Sequence, residues 1–205
     1  MKDNVDIVRI NSYDDIRFSK TVLLQHGAYL ISGEPYEVEI IGKDTALIRG
    51  ASEENYYMLI KEFRFNAPQI VKFIDLSGSI IAEYPKEKII SVQINDIQPS
   101  QFYVDQDKVK AVESFIHNPD DIIIQVMSWN DKYISLDGHT RLFLAVQRDY
   151  SKVKAVLSEN EEWVWPFVNE AIKRKIRTPK DMELLSHEQY EIQWNEYCDS
   201  FFENC

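Results

Sequence analysis

The chain has 205 residues, 44% of them hydrophobic, and a formal net charge of -11. This length and composition suit a globular protein of one or two domains and exclude wholesale disorder. The chain has 34 acidic and 23 basic residues. This balance disfavours duplex DNA and anionic membranes as partners, since a protein binds either of them through a basic surface.

The cysteines and the N-terminal residues indicate in which cellular compartment the protein is found. Cys198 and Cys205 are both late in the chain and form neither a disulfide framework nor a CxxC pair for zinc. Residues 1–11 lack the basic start and apolar core of a signal peptide, and no apolar run is long enough to span a membrane. These features predict a soluble, cytoplasmic protein with no membrane partner.

Taken in chain order, residues 1–88 are predicted to form a small α+β region. A weak helical period covers 14–29, and Ser52 is a candidate N-cap for a helix through Phe63. The predicted strands of this segment are 5–10, 36–40, 45–48, 70–74 and 80–84. We find no catalytic constellation in it.

Residues 89–158 are predicted to form a second α+β domain. Asp96 to Pro99 reads as a turn, and a helix is expected over 107–117 before Asn118-Pro119. The predicted strands of this segment are 88–94, 122–127, 132–136 and 153–157.

Residues 159–205 are predicted to form a helical extension, which completes an α+β fold. Apolar residues at helical spacing mark 161–174, Thr178-Pro179 is typical of a helix start, and Ser186 with Gln189 fits a capping box. Four aromatic residues of the last helix are predicted to pack in the core, because their flanks are acidic: Tyr190, Trp194, Tyr197 and Phe201.

The segment Asp137-Gly138-His139-Thr140-Arg141 carries the clearest chemical signal. It lies between a predicted strand and the start of an apolar helix. A helix N-terminus presents unpaired backbone N–H groups, glycine permits a close backbone approach, and arginine suits a phosphate. The pattern indicates an anion site, with Asp137 holding a metal, orienting a neighbour or accepting a proton. A purely structural explanation also fits, since Asp-Gly is a common turn and Asp a common N-cap.

The stretch from about residue 89 to 158 resembles the ParB/sulfiredoxin superfamily. The order of strand, Pro99 turn, helix, two strands and Asp-Gly-His-x-Arg before a helix matches that of ParB-like domains. Many of these domains have a second histidine where Thr140 stands. The resemblance implies a mixed sheet with helices and a nucleotide ligand at the motif.

The branches of this superfamily differ in function. Sulfiredoxins use a cysteine where His139 stands, and chromosome-partition ParB proteins continue into a helix-turn-helix, so this chain departs from both. Free serine kinases share the motif but use a glutamate in the turn after the first strand; the turn here, Gln98 to Phe102, has none. Asp105 is the candidate substitute, and Gln101 of that turn is the candidate substrate contact.

Two functions follow as expectations. In the first, a nucleotide such as ATP binds with Mg²⁺ and its phosphate is transferred to a hydroxyl of a small molecule. Gly138, His139, Thr140 and Arg141 then bind phosphate, while Asp137, His139 and Asp105 serve as catalytic residues. In the second, the same turn binds a nucleotide or another anion without catalysis, and the chain acts through a protein partner.

Other candidate residues receive structural interpretations. His26, His117 and His187 are read as packed or solvent-exposed, and no histidine spacing predicts a metal site. The basic run 173–177 is read as a solvated helix end.

Overall fold

The computed structural model describes residues 6–203. It is a mixed α+β structure, as the sequence predicted. The chain divides into two compact units, Met1–Glu87 and Lys88–Cys205, here called the N-terminal and C-terminal units. The predicted helical extension, residues 159–205, therefore belongs to the same unit as residues 88–158. Val5 of the first predicted strand and Cys205 lie outside the described residues.

The N-terminal unit is a six-stranded mixed sheet in sequential order, β1 to β6. All neighbours are antiparallel except β4 and β5, which helix α2 connects in parallel. Apolar residues of α2, such as Leu59 and Phe63, share a core with those of the sheet, such as Val38 and Phe73. The elements are β1 (Ile7–Arg9), α1 (Lys20–Leu24), β2 (Ala28–Ile31), β3 (Glu34–Ile40), β4 (Thr45–Gly50), α2 (Tyr56–Asn66), β5 (Lys72–Ile74) and β6 (Ile80–Glu83).

The prediction of a helical period over 14–29 was largely wrong. Only Lys20–Leu24 is helical, with Ser19 as its N-cap, and strand β2 follows immediately. Ser32 and Gly33 both have positive φ, at 52° and 85°, and so form the tight turn that pairs β2 with β3. The pairing in the sheet overrode a weak local helical preference.

The C-terminal unit has a five-stranded mixed sheet of order β7-β12-β10-β11-β8 and a separate two-stranded pair, β9 and β13. Strands β10 and β11 form an antiparallel hairpin, and β8 lies parallel to β11. The prediction of a turn from Asp96 to Pro99 was wrong, because Ile97–Pro99 is strand β8, which pairs with β11. The chain bends after Pro99, at 100–102, and strand β9 follows, which was not predicted either. The elements are β7 (Ile89–Gln93), β8 (Ile97–Pro99), β9 (Tyr103–Asp105), α3 (Gln106–Glu113), β10 (Ile123–Trp129), β11 (Lys132–Asp137), α4 (His139–Gln147), β12 (Lys152–Leu157), α5 (Trp165–Lys173), β13 (Glu183–Leu185), α6 (His187–Tyr190) and α7 (Glu196–Glu203).

The end of the chain is less helical than its sequence predicts. Thr178-Pro179 opens a single 3-10 turn, Pro179–Asp181, and β13 then pairs in parallel with β9. The capping box of Ser186 and Gln189 is confirmed at the start of α6, and a π-helical segment, Glu191–Asn195, joins α6 to α7. Trp194 and Tyr197 pack edge-on against Phe102, in agreement with the prediction that the aromatic residues near the end of the chain pack in the core. Within residues 6–203, no helix is long and apolar enough to cross a membrane.

Candidate functional site

The Asp137–Arg141 segment lies where β11 ends and α4 begins. Gln125 of β10 pairs with Asp137, whereas the next residue, Val126, pairs with Ser135. One extra residue, Leu136, is therefore accommodated in β11 immediately before the turn. Bulges of this kind change the direction of a strand and occur often beside functional sites.

Gly138 is required by both the backbone and the packing of the turn. It is the N-cap of α4 and has left-handed dihedrals, φ 81° and ψ 22°. A Cβ built on it would lie 2.7 Å from Cγ2 of Ile124 and 3.3 Å from Nη2 of Arg141. A side chain at this position would therefore be strained by φ and crowded by β10 at the same time.

Arg141 is held in place by two acceptors. Its Nη1 donates to the Ile123 carbonyl at 2.5 Å, and its Nη2 lies 3.2 Å from Oδ2 of Asp137. The Arg141 side chain is 19% exposed and that of Asp137 is 38% exposed. The structure thus brings Asp137, Gly138 and Arg141 together, with a preoriented guanidinium whose charge is partly offset by the Asp137 carboxylate.

His139 points into the protein. It is buried, and its Nε2 lies 3.2 Å from Oγ of Ser100 and 3.0 Å from Oγ of Ser135. Oγ of Ser100 also donates its proton to the Ser135 carbonyl at 2.8 Å, so the imidazole and both hydroxyls form one buried hydrogen-bonded cluster. Burial lowers the pKa of His139 to about 4, so the ring is neutral at pH 7. His139 therefore joins the Pro99 turn to the motif as a neutral hydrogen-bonded group.

The donors at this turn fit a phosphate group. Helix α4 has nine residues, and the first N–H groups of a helix have no partner within it. Thr140, half-buried in the first turn, adds a hydroxyl, and Arg141 adds a guanidinium. These are the donors that bind phosphate oxygens elsewhere. Asp137 is the carboxylate in this segment that can hold a divalent cation.

Asp105 belongs to a different cluster. It is fully buried, its Oδ1 accepts from the Asp107 amide, and its Oδ2 lies 2.8 Å from Nδ1 of His187. The parallel pairing of β9 with β13 places Asp105 opposite Leu185, which brings His187 to it. The hydrogen bond to Asp105 raises the pKa of His187, whose side chain is half exposed. Ligand atoms of Asp105, Asp107 and His187 lie within 4.8 Å of one another, close enough to hold a metal ion.

Sequence reasoning missed the partnership of His187, which it read as simply solvent-exposed. The two partners are 82 positions apart, and β13 gave no periodic signal that could have linked them. Gln101, the predicted substrate contact, lies near this cluster. Its Nε2 donates to the Tyr103 carbonyl at 2.5 Å and contacts the Tyr190 hydroxyl at 3.2 Å. The roles predicted for Asp105 and Gln101 stay predictions.

The fold and this turn define an α+β protein with a glycine-capped helix start that suits an anion. No protein-family model matches the chain, and no curated protein matches it. Among solved structures it is similar to protein Atu1540 from Agrobacterium tumefaciens, with 15% identity and a TM-score of 0.33 over 47% of this chain. The match covers 61% of that protein, so this chain spans less than two thirds of its length. At this level the likeness gives no information on function.

Proposed function

We propose that the C-terminal unit is a ParB/sulfiredoxin-like nucleotide-binding domain, with the phosphates bound at the Gly138–Arg141 turn. One observation carries the proposal. Gly138, at φ 81°, opens the nine-residue helix α4 and places Arg141, already oriented by Ile123 and Asp137, beside that helix start. The backbone N–H groups, the Thr140 hydroxyl and the Arg141 guanidinium would together bind the phosphate oxygens.

The proposal predicts that Arg141→Ala weakens nucleotide binding by at least about tenfold, because a charge-assisted hydrogen bond contributes roughly 1.5–3 kcal/mol. Calorimetry with ATP, ADP and CTP in Mg²⁺ measures it. Arg148→Ala is the matched control, since Arg148 at the other end of α4 also contacts a backbone carbonyl, that of Ile116, and a carboxylate, that of Glu113.

Equal affinities of the Arg141 and Arg148 variants, or no binding by the wild-type protein, would overturn the proposal. Thermal unfolding of both variants separates a loss of binding from a loss of folding.

Phosphoryl transfer to a small hydroxyl compound is the second candidate function, with free serine as the first acceptor to test. It is favoured by the partly exposed carboxylate of Asp137, which is placed beside the phosphate donors to hold Mg²⁺ or take the acceptor proton. The neutral, buried imidazole of His139 favours binding without transfer, since it carries no positive charge to stabilise the transferring phosphoryl group.

A single substitution distinguishes the two candidates. If Asp137 only competes with the ligand for Arg141, Asp137→Asn strengthens nucleotide binding with or without Mg²⁺. If Asp137 holds the metal, the same variant loses the effect of Mg²⁺ on binding and forms no phosphoserine from ATP and serine. Phosphoserine formed by the wild-type protein excludes the purely non-catalytic role, in which the chain would act through a protein partner.

A further inference from the structure

A cleft of about 480 Å³ lies in the C-terminal unit, apart from the Asp137–Arg141 turn. Its lining comes from β8, the β10–β11 hairpin, α5 and the loop after α5: Gln98, Trp129, Asn130, Asp131, Lys132, Ile172 and Arg177. Lys132 begins β11 and Asp137 ends it, so the cleft and the turn are separated along the strand by roughly 16 Å at about 3.3 Å per residue. Its volume lies within the range of small-molecule sites.

Gln98 is the feature that points to a ligand. The residue is only 4% exposed, and its Nε2 donates to the carbonyls of Pro99 and Ile176, both at 2.9 Å. Both amide protons are therefore used, and the orientation of the amide is fixed. Within residues 6–203, the structure shows no hydrogen-bond partner for its Oε1. Every fully enclosed side-chain oxygen of these residues does have a partner, so Oε1 is not fully enclosed. Oε1 is thus an oriented, incompletely enclosed acceptor on a residue that lines the cleft.

The rest of the lining defines the chemistry of the ligand. The Trp129 ring is fixed by an edge-on contact with Trp165, at 6.1 Å between ring centroids, and with Ile172 it provides an apolar wall. Lys132 and Arg177 are both exposed and give the lining two positive charges, whereas Asp131 gives it one negative charge. The cleft therefore combines a flat apolar wall, an excess of positive charge and one oriented acceptor.

We propose that this cleft binds a small organic anion that has a flat ring and an N–H or O–H donor. The ring packs against Trp129, the anionic group meets Lys132 and Arg177, and the donor satisfies Oε1 of Gln98. Water can reach this acceptor, so a bound ligand displaces that water. A ligand with a donor replaces the lost hydrogen bond and therefore binds better than one without it. The site is independent of the nucleotide site proposed above, since it shares no residue with it.

The test uses the full chain and 4-aminobenzoate, which has a carboxylate, a flat ring and an amino donor. Binding is followed by calorimetry and by the indole N–H resonance of Trp129, assigned with Trp129→Phe. The expected result is a shift of that resonance and an affinity about tenfold lower for benzoate, which lacks the donor, and for aniline, which lacks the anion.

Protein variants complete the test. The double variant Lys132→Ala/Arg177→Ala is expected to bind 4-aminobenzoate at least about tenfold more weakly. Lys180→Ala, which removes an exposed cation outside the cleft, and Arg141→Ala are expected to bind it normally. No shift of the Trp129 resonance, equal affinity for aniline, or equal binding by the double variant and Lys180→Ala would overturn the proposal.

Discussion

At the scale of single residues, Gly138 and His139 are adjacent in one turn but have different structural roles. Gly138 leaves room for Ile124 and Arg141 to approach the backbone, while His139 turns inward to Ser100 and Ser135. The sequence identified both as part of an anion site. It could not show that the imidazole is buried, because Ser100 is distant in sequence and its approach depends on β8 pairing with β11.

Gly138→Ala is expected to lower the free energy of unfolding by about 1–3 kcal/mol, through the unfavourable φ of 81° and the contact with Ile124. Chemical denaturation measures it. Gly33→Ala is the matched control, because Gly33 has φ 85° but nothing within 4 Å of the added Cβ. A larger loss at Gly33 than at Gly138 would contradict the crowding by Ile124.

His139 is expected to make the protein less stable as the pH falls from about 6.5 towards 4. Its folded pKa of about 4 lies below the ordinary histidine value of 6.5, so the unfolded chain binds a proton first and stability is lost on acidification. The size of the effect is up to about 3 kcal/mol. Denaturation of wild type and His139→Gln at pH 7 and pH 4.5 checks it, and an unchanged pH dependence in the variant would refute it.

At the scale of elements, the local sequence pattern was sufficient to predict those strands and helices that have a clear hydrophobic periodicity. The hairpin of β3 and β4, the buried strand β10 and the helices α2, α3 and α4 are confirmed. Strands β8, β9 and β13, each of three residues, were not predicted. A strand that short has no readable alternation, and its existence depends on pairing with a partner far away in sequence.

The pair of Asp105 and His187 links β9 to the start of α6 and provides an element-scale prediction. Asp105→Asn is expected to move the pKa of His187 down towards 6.5, because the hydrogen bond to the carboxylate is the main cause of its rise. The asparagine keeps an acceptor for the Asp107 amide at the N-terminus of α3. NMR titration of His187 measures the pKa, and Asp107→Asn is the control with a smaller expected shift.

The same pair predicts a pH dependence of local stability opposite to that of His139. Because the folded pKa of His187 is raised, its stabilisation is complete below about pH 6.5 and is lost as the pH rises through the raised value. The expected result is a lower protection of the β13 and α6 amides above that range, measured relative to the base-catalysed intrinsic exchange rate, with no such drop in Asp105→Asn. Protection that does not change with protonation of His187 would contradict it.

At the scale of the whole molecule, each unit has its own hydrophobic core. One core cluster draws only on residues 29–73, with packed neighbours up to 84, and the largest cluster of the C-terminal unit draws only on residues 92–182. Residues 88–205 expressed alone are therefore expected to unfold cooperatively and to bind nucleotide with the affinity of the full chain. Circular dichroism and calorimetry check this, with residues 1–87 as the control that shows no nucleotide binding.

The sequence by itself determined the α+β class, the helices and strands with strong periodicity, and the Asp137–Arg141 segment between a strand and a helix. These features depend on near neighbours in the chain, whose spacing sets the faces of each element. Only the tertiary structure decided that His139 is buried, that Asp105 pairs with His187 and that Gln98 lines a cleft. Each of these depends on residues brought together from distant positions by strand pairing, where burial and hydrogen-bond partners set charge and orientation.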